Sequence, residues 1–310
     1  DIFLNERQQL NDLLNRCKAY RPLRVAVVHP CDEVSLGGVL AARARGLIEP
    51  VLIGPEAKIR QVAEIYHYDL DGITIDPVEH SHAACARAVE LCQMDAVESI
   101  MKGSLHTDEL MGVLLAKSSG LRTERRVSHV FVFDVPTYPR PLLITDAAIN
   151  ISPNLNAKRD IIQNAIELAH ALKIDEPKVA ILSAVEIVTP AIPSTLDAAA
   201  LCTMASRGQI TGGILDGPLA FDNAISETAA KIKGIDSPVA GLADILVTPD
   251  LESGNMLAKQ LEYLAHGEGS GIVLGLRLPV ILTSRADDAM SRLASCALAV
   301  ILRAHQTKES

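Results

Sequence analysis

The residues best suited to chemistry in this chain are Ser284 and Arg285, in the run TSRADD at 283 to 288. An apolar run, PVILT, ends at Thr283, and helix-forming sequence begins within a few residues. Open α/β sheets bind ligands at the carboxyl ends of their strands. A helix N-terminus there adds unpaired N–H groups and a partial positive charge suited to an anion. Arg285 offers a bidentate fork to phosphate, and Ser284 offers a hydroxyl to a carbonyl or phosphate oxygen. A plainer role stands beside this one, because Ser284 as N-cap and Asp287 at N3 would make a capping box. A capped helix end can still bind an anion, so the two roles are compatible.

A second constellation is KGSLHTDEL, where Lys102, Gly103 and Ser104 follow a strand and precede a helix. Glycine permits close backbone approach and lysine adds charge. The P-loop spacing is absent, and a strand-end Lys-Gly also reads as an ordinary turn. Glycines cluster in TGGILDGPLAFD, which holds Gly217, and in GEGSGIVLG, which holds Gly271 and Gly275. Either cluster suits the lining of a ligand cleft, and neither fits the dinucleotide fingerprint in its strand-then-helix setting. His29, His106, His129 and His266 are scattered. No metal site follows from them, and each is expected in a surface or core role.

The elements that must position these residues follow from periodicity. RVAVVHP, PVLIG, VESIMKG, KVAILSA and ADILVTP read as buried strands. HVFVFDV and PLLITDAA read as a strand pair joined by the turn PTYPR. Helices are expected over GGVLAARARG and HSHAACARAVELCQMD, and from Ala157 to Leu172. A further helix is expected from Ser194, capped with Asp197, to Gly208, and a last one carries Met290, Leu293, Ala297 and Ile301 on one face. GIVLGLRLPVILTSR splits at Pro279 into two apolar runs. Repeated strand–helix alternation predicts a doubly wound α/β architecture. Turn formers from Asn150 to Asn156 mark a boundary between two lobes.

Composition limits the function classes. A chain of 310 residues accommodates two ordinary domains. The net charge of −9 argues against a nucleic-acid binder, while local arginines can still hold phosphate. With no Trp and 3% aromatic residues, the core must be Val, Ile, Leu and Ala, as in a sheet covered on both faces. Six cysteines, at 17, 31, 85, 92, 202 and 296, form no CxxC pair or zinc spacing. They imply a reducing, cytoplasmic setting without disulfides. The apolar run Cys296 to Leu302 is too short to cross a bilayer, and no signal peptide is visible. The chain begins with Asp, which suits a piece of a longer polypeptide.

Several ordered stretches together resemble the phosphate acetyltransferase and phosphate butyryltransferase family. They are MKGSLHTDEL, RRVSHVFVFDVP, ITDAAIN, AVEIVTPAIPSTLDA, DGPLAFDNAIS, AGLADILVTPDLESGNMLAK and PVILTSRADD. The SAVEIVTP and TSRADD forms look like the butyryl branch, or like the acetyltransferase domain found behind a hydratase-like domain. The resemblance implies two three-layer α/β/α lobes of the isocitrate/isopropylmalate dehydrogenase-like superfamily with an interlobe cleft. Residues 1–150 with 286–310 would form one lobe and 151–285 the other. It implies reversible, direct acyl transfer between coenzyme A and inorganic phosphate, no cofactor beyond the coenzyme A substrate, no bound metal, no membrane partner and a homodimer. Ser284 and Arg285 fall on the family's Ser-Arg pair. Lys102, Gly103, Ser104, Asn150, Gly217, Gly271 and Gly275 make up the expected substrate-binding set.

Two positions depart from the family pattern. The carboxylate that relatives carry after the Ser-Arg pair falls near Ser291, so Asp287 or Asp288 would have to take the thiol proton. The helix after Lys-Gly has Met111-Gly112 where many relatives have Arg, and Arg125 or Arg126 would have to supply that charge. Three rival functions are kept. The first is a metal- and NAD-dependent hydroxyacid dehydrogenase using Asp216, Asp222, Asp244 and Asp250. The second is a non-catalytic sensor of coenzyme A or acyl phosphate. The third is a ping-pong enzyme acylated on Cys202 or Cys296.

Overall fold

The computed structural model describes residues 8–283 and 287–308. The chain forms two compact units, one of Arg126–Gly269 with Gln8 and Gln9, and the other of Leu10–Arg125 with the segment from Ser270 onward. In order, the N-terminal part carries α1 (Gln8–Cys17), β1 (Leu23–Val28), α2 (Glu33–Ala44), β2 (Ile48–Gly54), α3 (Glu56–Ile65), β3 (Thr74–Pro77), α4 (Ser81–Gln93), β4 (Ser99–Lys102) and α5 (Thr107–Leu114). The middle part carries β5 (Ser128–Asp134), β6 (Leu142–Thr145), α6 (Leu155–Ala171), β7 (Lys178–Leu182), α7 (Pro193–Ser206), β8 (Ile214–Leu219), α8 (Phe221–Ile225), α9 (Glu227–Ile232), β9 (Ile245–Val247) and α10 (Leu251–Leu264). The chain closes with β10 (Glu268–Leu274), β11 (Val280–Ile281) and α11 (Ala289–Lys308).

In the first unit the strands run in the order β3-β2-β1-β4-β11-β10. All are parallel except β10, which is antiparallel to β11. β1 is apolar over almost its whole length, as in a parallel sheet covered on both faces, and Val25 to Val28 are fully buried. α11 packs on α2. Its apolar residues, from Leu293 to Leu302, are buried on every side rather than on one stripe.

In the middle unit the order is β5-β6-β9-β7-β8. β5 and β6 form the expected antiparallel pair, with Phe131 opposite Ile144, and the others are parallel. Phe133, Ile144, Ala180 and Leu246 centre its core. The division of the chain differs from the expected one at both joints. β6 pairs with β9, which places 126–150 with the middle unit, and β11 pairs with β4, which places 270–283 with the first.

Candidate active site

In the first unit three parallel strands present their carboxyl ends at one level. Val27 is in register with Met101, and Met101 with Ile281. The next residues are therefore Val28 beside Lys102, followed by His29, Gly103 and Thr283 along the same edge. β1 and β4 also bracket the point where strand order reverses, since the chain leaves β1 for β2 on one side and returns at β4 on the other. Such crevices are where open α/β sheets bind ligands.

The loops after β1 and β4 are stitched together there. Gly103 N donates to Val28 O at 2.8 Å, and Ser104 N to His29 O at 2.8 Å. The approach is so close that a Cβ on Gly103 would lie 2.3 Å from Val28 O. Ser104 Oγ donates to His29 O at 2.7 Å, accepts from Cys31 N at 3.1 Å and lies 3.1 Å from His29 Nδ1. His29 has a left-handed backbone, φ 57°, which His, Asn and Asp adopt more readily than bulkier residues. Lys102 Nζ turns back into its own loop, donating to Gly103 O and Leu105 O at 3.3 and 3.2 Å.

Of the TSRADD run, Ser284 and Arg285 lie outside the described residues. Helix α11 begins at Ala289, and its cap is Asp288, whose Oδ1 accepts from Ser291 N at 2.7 Å. The helix therefore starts later than the apolar pattern implied, and Asp287 precedes its cap rather than lying at N3. The Asp287 carbonyl accepts from Arg292 Nη2. On β10, Gly271 N donates to the buried Ser295 hydroxyl at 3.0 Å. Gly275, at φ 102°, turns the chain beyond that strand, and its carbonyl accepts from Thr123.

In the middle unit the carboxyl end of β6 carries a second network. Asp146 is buried and accepts from Ala148 N, Ile149 N and Asn150 N at 2.9, 3.0 and 3.1 Å, and from Asn150 Nδ2 at 2.6 Å. Asn150 Nδ2 also donates to Val127 O, and Arg126 Nε donates to Asn150 Oδ1. Asn150 is therefore the hub of the loop, with both amide hydrogens committed to protein acceptors. Arg126 is exposed, with its side chain anchored by that hub. Gly217 is a packing residue of β8, since a Cβ there would lie 2.8 Å from Ile181. The Asp146 hub escaped the sequence reading; its signal was an Asp and an Asn four apart just past a strand.

The rival chemistries find little support in the geometry. Among the described residues, no three His, Cys, Asp or Glu side chains gather to hold a metal ion. Asp222 pairs with Lys233, Asp244 accepts from Lys178 N, and Asp250 caps α10. Burial pushes the Cys202 thiol up to about 11 and the Cys296 thiol up to about 12, which keeps both protonated and poorly nucleophilic. All six cysteines are free. Among the described residues, no helix is long and apolar enough to cross a membrane.

The fold and its strand-edge loops define a mixed α/β class that includes both acyl-transfer and dehydrogenase enzymes. A branched-chain phosphotransacylase from Enterococcus faecalis V583 superposes with TM-score 0.78 at 27% identity, covering 91% of this chain and 99% of that one. A 4-hydroxythreonine-4-phosphate dehydrogenase from Klebsiella pneumoniae shares the fold with TM-score 0.56 at 13% identity, over 91% of this chain and 99% of that one. Sequence decides within this class. Residues 76–300 match the family model described as Phosphate acetyl/butaryl transferase. A phosphate acetyltransferase of Rhizobium meliloti is 60% identical over 95% of this chain and 93% of its own length. A phosphate butyryltransferase of Clostridium acetobutylicum is 39% identical over 95% and 98%. The chain belongs to the phosphate acetyl/butyryl transferase family.

Proposed function

We propose that this protein transfers an acetyl group between coenzyme A and inorganic phosphate, in either direction. The observation that carries the proposal is the 60% identity to a phosphate acetyltransferase along 95% of the chain. Butyryl transfer is the second reading, motivated by the 39% identity to a phosphate butyryltransferase. Butyryl is longer than acetyl by two methylenes, each worth about 1–3 kcal/mol in a pocket, so the two activities differ by degree.

The coenzyme A thiolate attacks the carbonyl of acetyl phosphate, and phosphate leaves. Arg285 grips the phosphoryl group and stabilises its growing charge, while Ser284 donates to the carbonyl oxygen as it becomes an oxyanion. The loop of Lys102, Gly103 and Ser104 ends β4, and Lys102 brings a cation there for the anionic substrate. Magnitudes rank these contributions. A thiol of pKa about 8.5 is already roughly 3% ionised at neutral pH, so full deprotonation gains at most about thirtyfold. One oxyanion donor is worth about 10²–10³, and orientation of two bound reactants about 7–11 kcal/mol. Asp287 and Asp288 can affect only the smallest of these, and Asp288 already caps a helix. The reaction calls for no cofactor beyond the coenzyme A substrate. A homodimer and a fused hydratase-like domain belong to the same proposal.

The test is thioester formation from coenzyme A with acetyl phosphate and with butyryl phosphate, followed by ultraviolet absorbance. Higher kcat/KM for acetyl phosphate is expected. A higher value for butyryl phosphate would reassign the substrate, and no thioester from either would remove the acyltransferase reading.

A further inference from the structure

The carboxylate that the family resemblance implies after the Ser-Arg pair falls near Ser291, whose hydroxyl cannot take a thiol proton and whose N–H is committed to the start of α11. The first unit contains another group suited to the task. His29 follows β1 at the strand-order reversal, is only partly buried, and is held in a left-handed backbone conformation. The Ser104 contacts fix its tautomer. A 2.7 Å approach of Ser104 Oγ to His29 O requires a proton between the two oxygens, and a carbonyl has none to give. The hydroxyl proton therefore lies on that contact, and the 3.1 Å contact with the ring must be His29 Nδ1–H donating to Ser104 Oγ. Nε2 is left as the lone-pair nitrogen, and no described residue hydrogen-bonds it.

We propose that His29, oriented by Ser104, is the general base that takes the proton from the coenzyme A thiol. This rests on the acyl-transfer reading above. In the step the S–H bond breaks, its proton moves to Nε2, and the sulfur electron pair forms the bond to the acyl carbon. The bond from that carbon to the phosphate oxygen then breaks. Phosphate leaves and recovers the proton from the imidazolium, so that acetyl phosphate dianion and thiol become thioester and hydrogen phosphate dianion.

Placement and charge agree with the role. Register puts His29 two strands away from Thr283 on the same edge, roughly 10 Å across the sheet. That span is wide enough to seat a reacting carbonyl and sulfur beside the ring. The charged groups facing the ring come from three neighbouring segments: Lys58 of α3, Glu109 of α5, and Asp32 at the start of α2. Burial, the largest cause, holds the imidazole below its usual pKa and Lys58 adds to this, while the Ser104 backbone, Glu109 and Asp32 oppose it. The ring is therefore neutral and able to accept a proton at neutral pH.

The experiment compares wild type, His29→Asn and Ser104→Ala for kcat/KM in thioester formation from about pH 6 to 9, with melting temperature beside it. Asn tolerates positive φ and can still meet the Ser104 hydroxyl, so the fold is preserved. Wild type should be flat from about pH 6.5 to 8, while His29→Asn should be about ten- to thirtyfold slower near pH 7 and rise tenfold per pH unit toward the thiol pKa. Ser104→Ala should show a smaller loss of the same shape. A His29→Asn profile within twofold of wild type near pH 7, or parallel to it throughout, would overturn the assignment. Should His29→Asn not fold, a Ser104→Ala profile unchanged in height and shape would overturn it as well. If wild type itself makes no thioester, it is the acyl-transfer reading that fails.

Discussion

Gly103→Ala is the perturbation whose consequences follow most closely from the geometry. A Cβ at this position would lie 2.3 Å from Val28 O, 2.5 Å from His29 O and 2.6 Å from His29 C, all backbone atoms of the neighbouring strand end. Ordinary contact begins at 3.4 Å, so the loop after β4 must retreat by about 3.4 − 2.3 = 1.1 Å. Overpacking of this kind costs about 1–3 kcal/mol. The retreat also breaks the bonds from Gly103 N and Ser104 N to the end of β1, releasing Ser104 from His29. A displacement of about 1 Å at a catalytic constellation can cost on the order of a hundredfold in rate. The assay pairs denaturant unfolding with kcat/KM for thioester formation. The control is Gly112→Ala in α5, where a new Cβ meets nothing within 4 Å. That change should stabilise by about 0.5–1 kcal/mol through helix propensity, with activity unchanged. Gly103→Ala matching its control in both readouts would refute the claim that this close approach builds the site.

Three further outcomes are expected. Asp146→Asn places an amide N–H₂ where Oδ2 now accepts from Asn150 N and Asn150 Nδ2; losing two bonds to a buried carboxylate should lower stability by about 3 kcal/mol or more in urea unfolding, and a change under about 0.5 kcal/mol would show that the hub is dispensable. Burial raises the Glu98 pKa, but hydrogen bonds and charge from Arg21 and Arg24 outweigh it and hold the carboxyl below its usual value. Its stabilising contribution is therefore present above the unfolded-state pKa and lost as pH falls through the lower folded value. Both arginines are largely exposed, so Glu98→Gln should cost only about 1 kcal/mol at neutral pH, with the difference from wild type vanishing in acid; a gap that widened in acid would contradict the sign. Alkylating reagents should leave Cys296 untouched in the folded protein, because burial pushes its thiol up to about 12; modification at the rate of a free thiol, read by mass spectrometry, would contradict that burial.

Much of the fold was legible because its signals are local. β1, β2, β4, β7 and β9 are short β-branched or leucine-rich runs ended by turn residues, and the β5–β6 hairpin is announced by PTYPR. β8 was missed because its ILDGPL holds Asp, Gly and Pro and is only partly buried at the sheet edge. Gly217, expected to line a ligand cleft, also has a packing reason the sequence hid: a Cβ there would meet Ile181 and Ala198. The expected cap of α7 by Ser194 and Asp197 gives way to Ile192 as the N-cap residue, Thr195 bonding Thr189, and an ion pair between Asp197 and Lys158. Of the candidate site residues, the Ser-Arg pair and the Lys-Gly-Ser turn stood out because each follows an apolar strand-like run and precedes helix-forming sequence. The His29–Ser104 contact could not, because it joins residues 75 apart that only the β1–β4 pairing brings together. Long-range pairing leaves no periodic trace in either segment.

The central proposal, that Arg285 stabilises phosphate as it parts from an acyl group, is tested most directly by acetyl-CoA formation with Arg285→Ala beside wild type. Loss of at least about a hundredfold in kcat/KM is expected, with melting temperature unchanged. A folded Arg285→Ala protein with near wild-type kcat/KM would contradict the account.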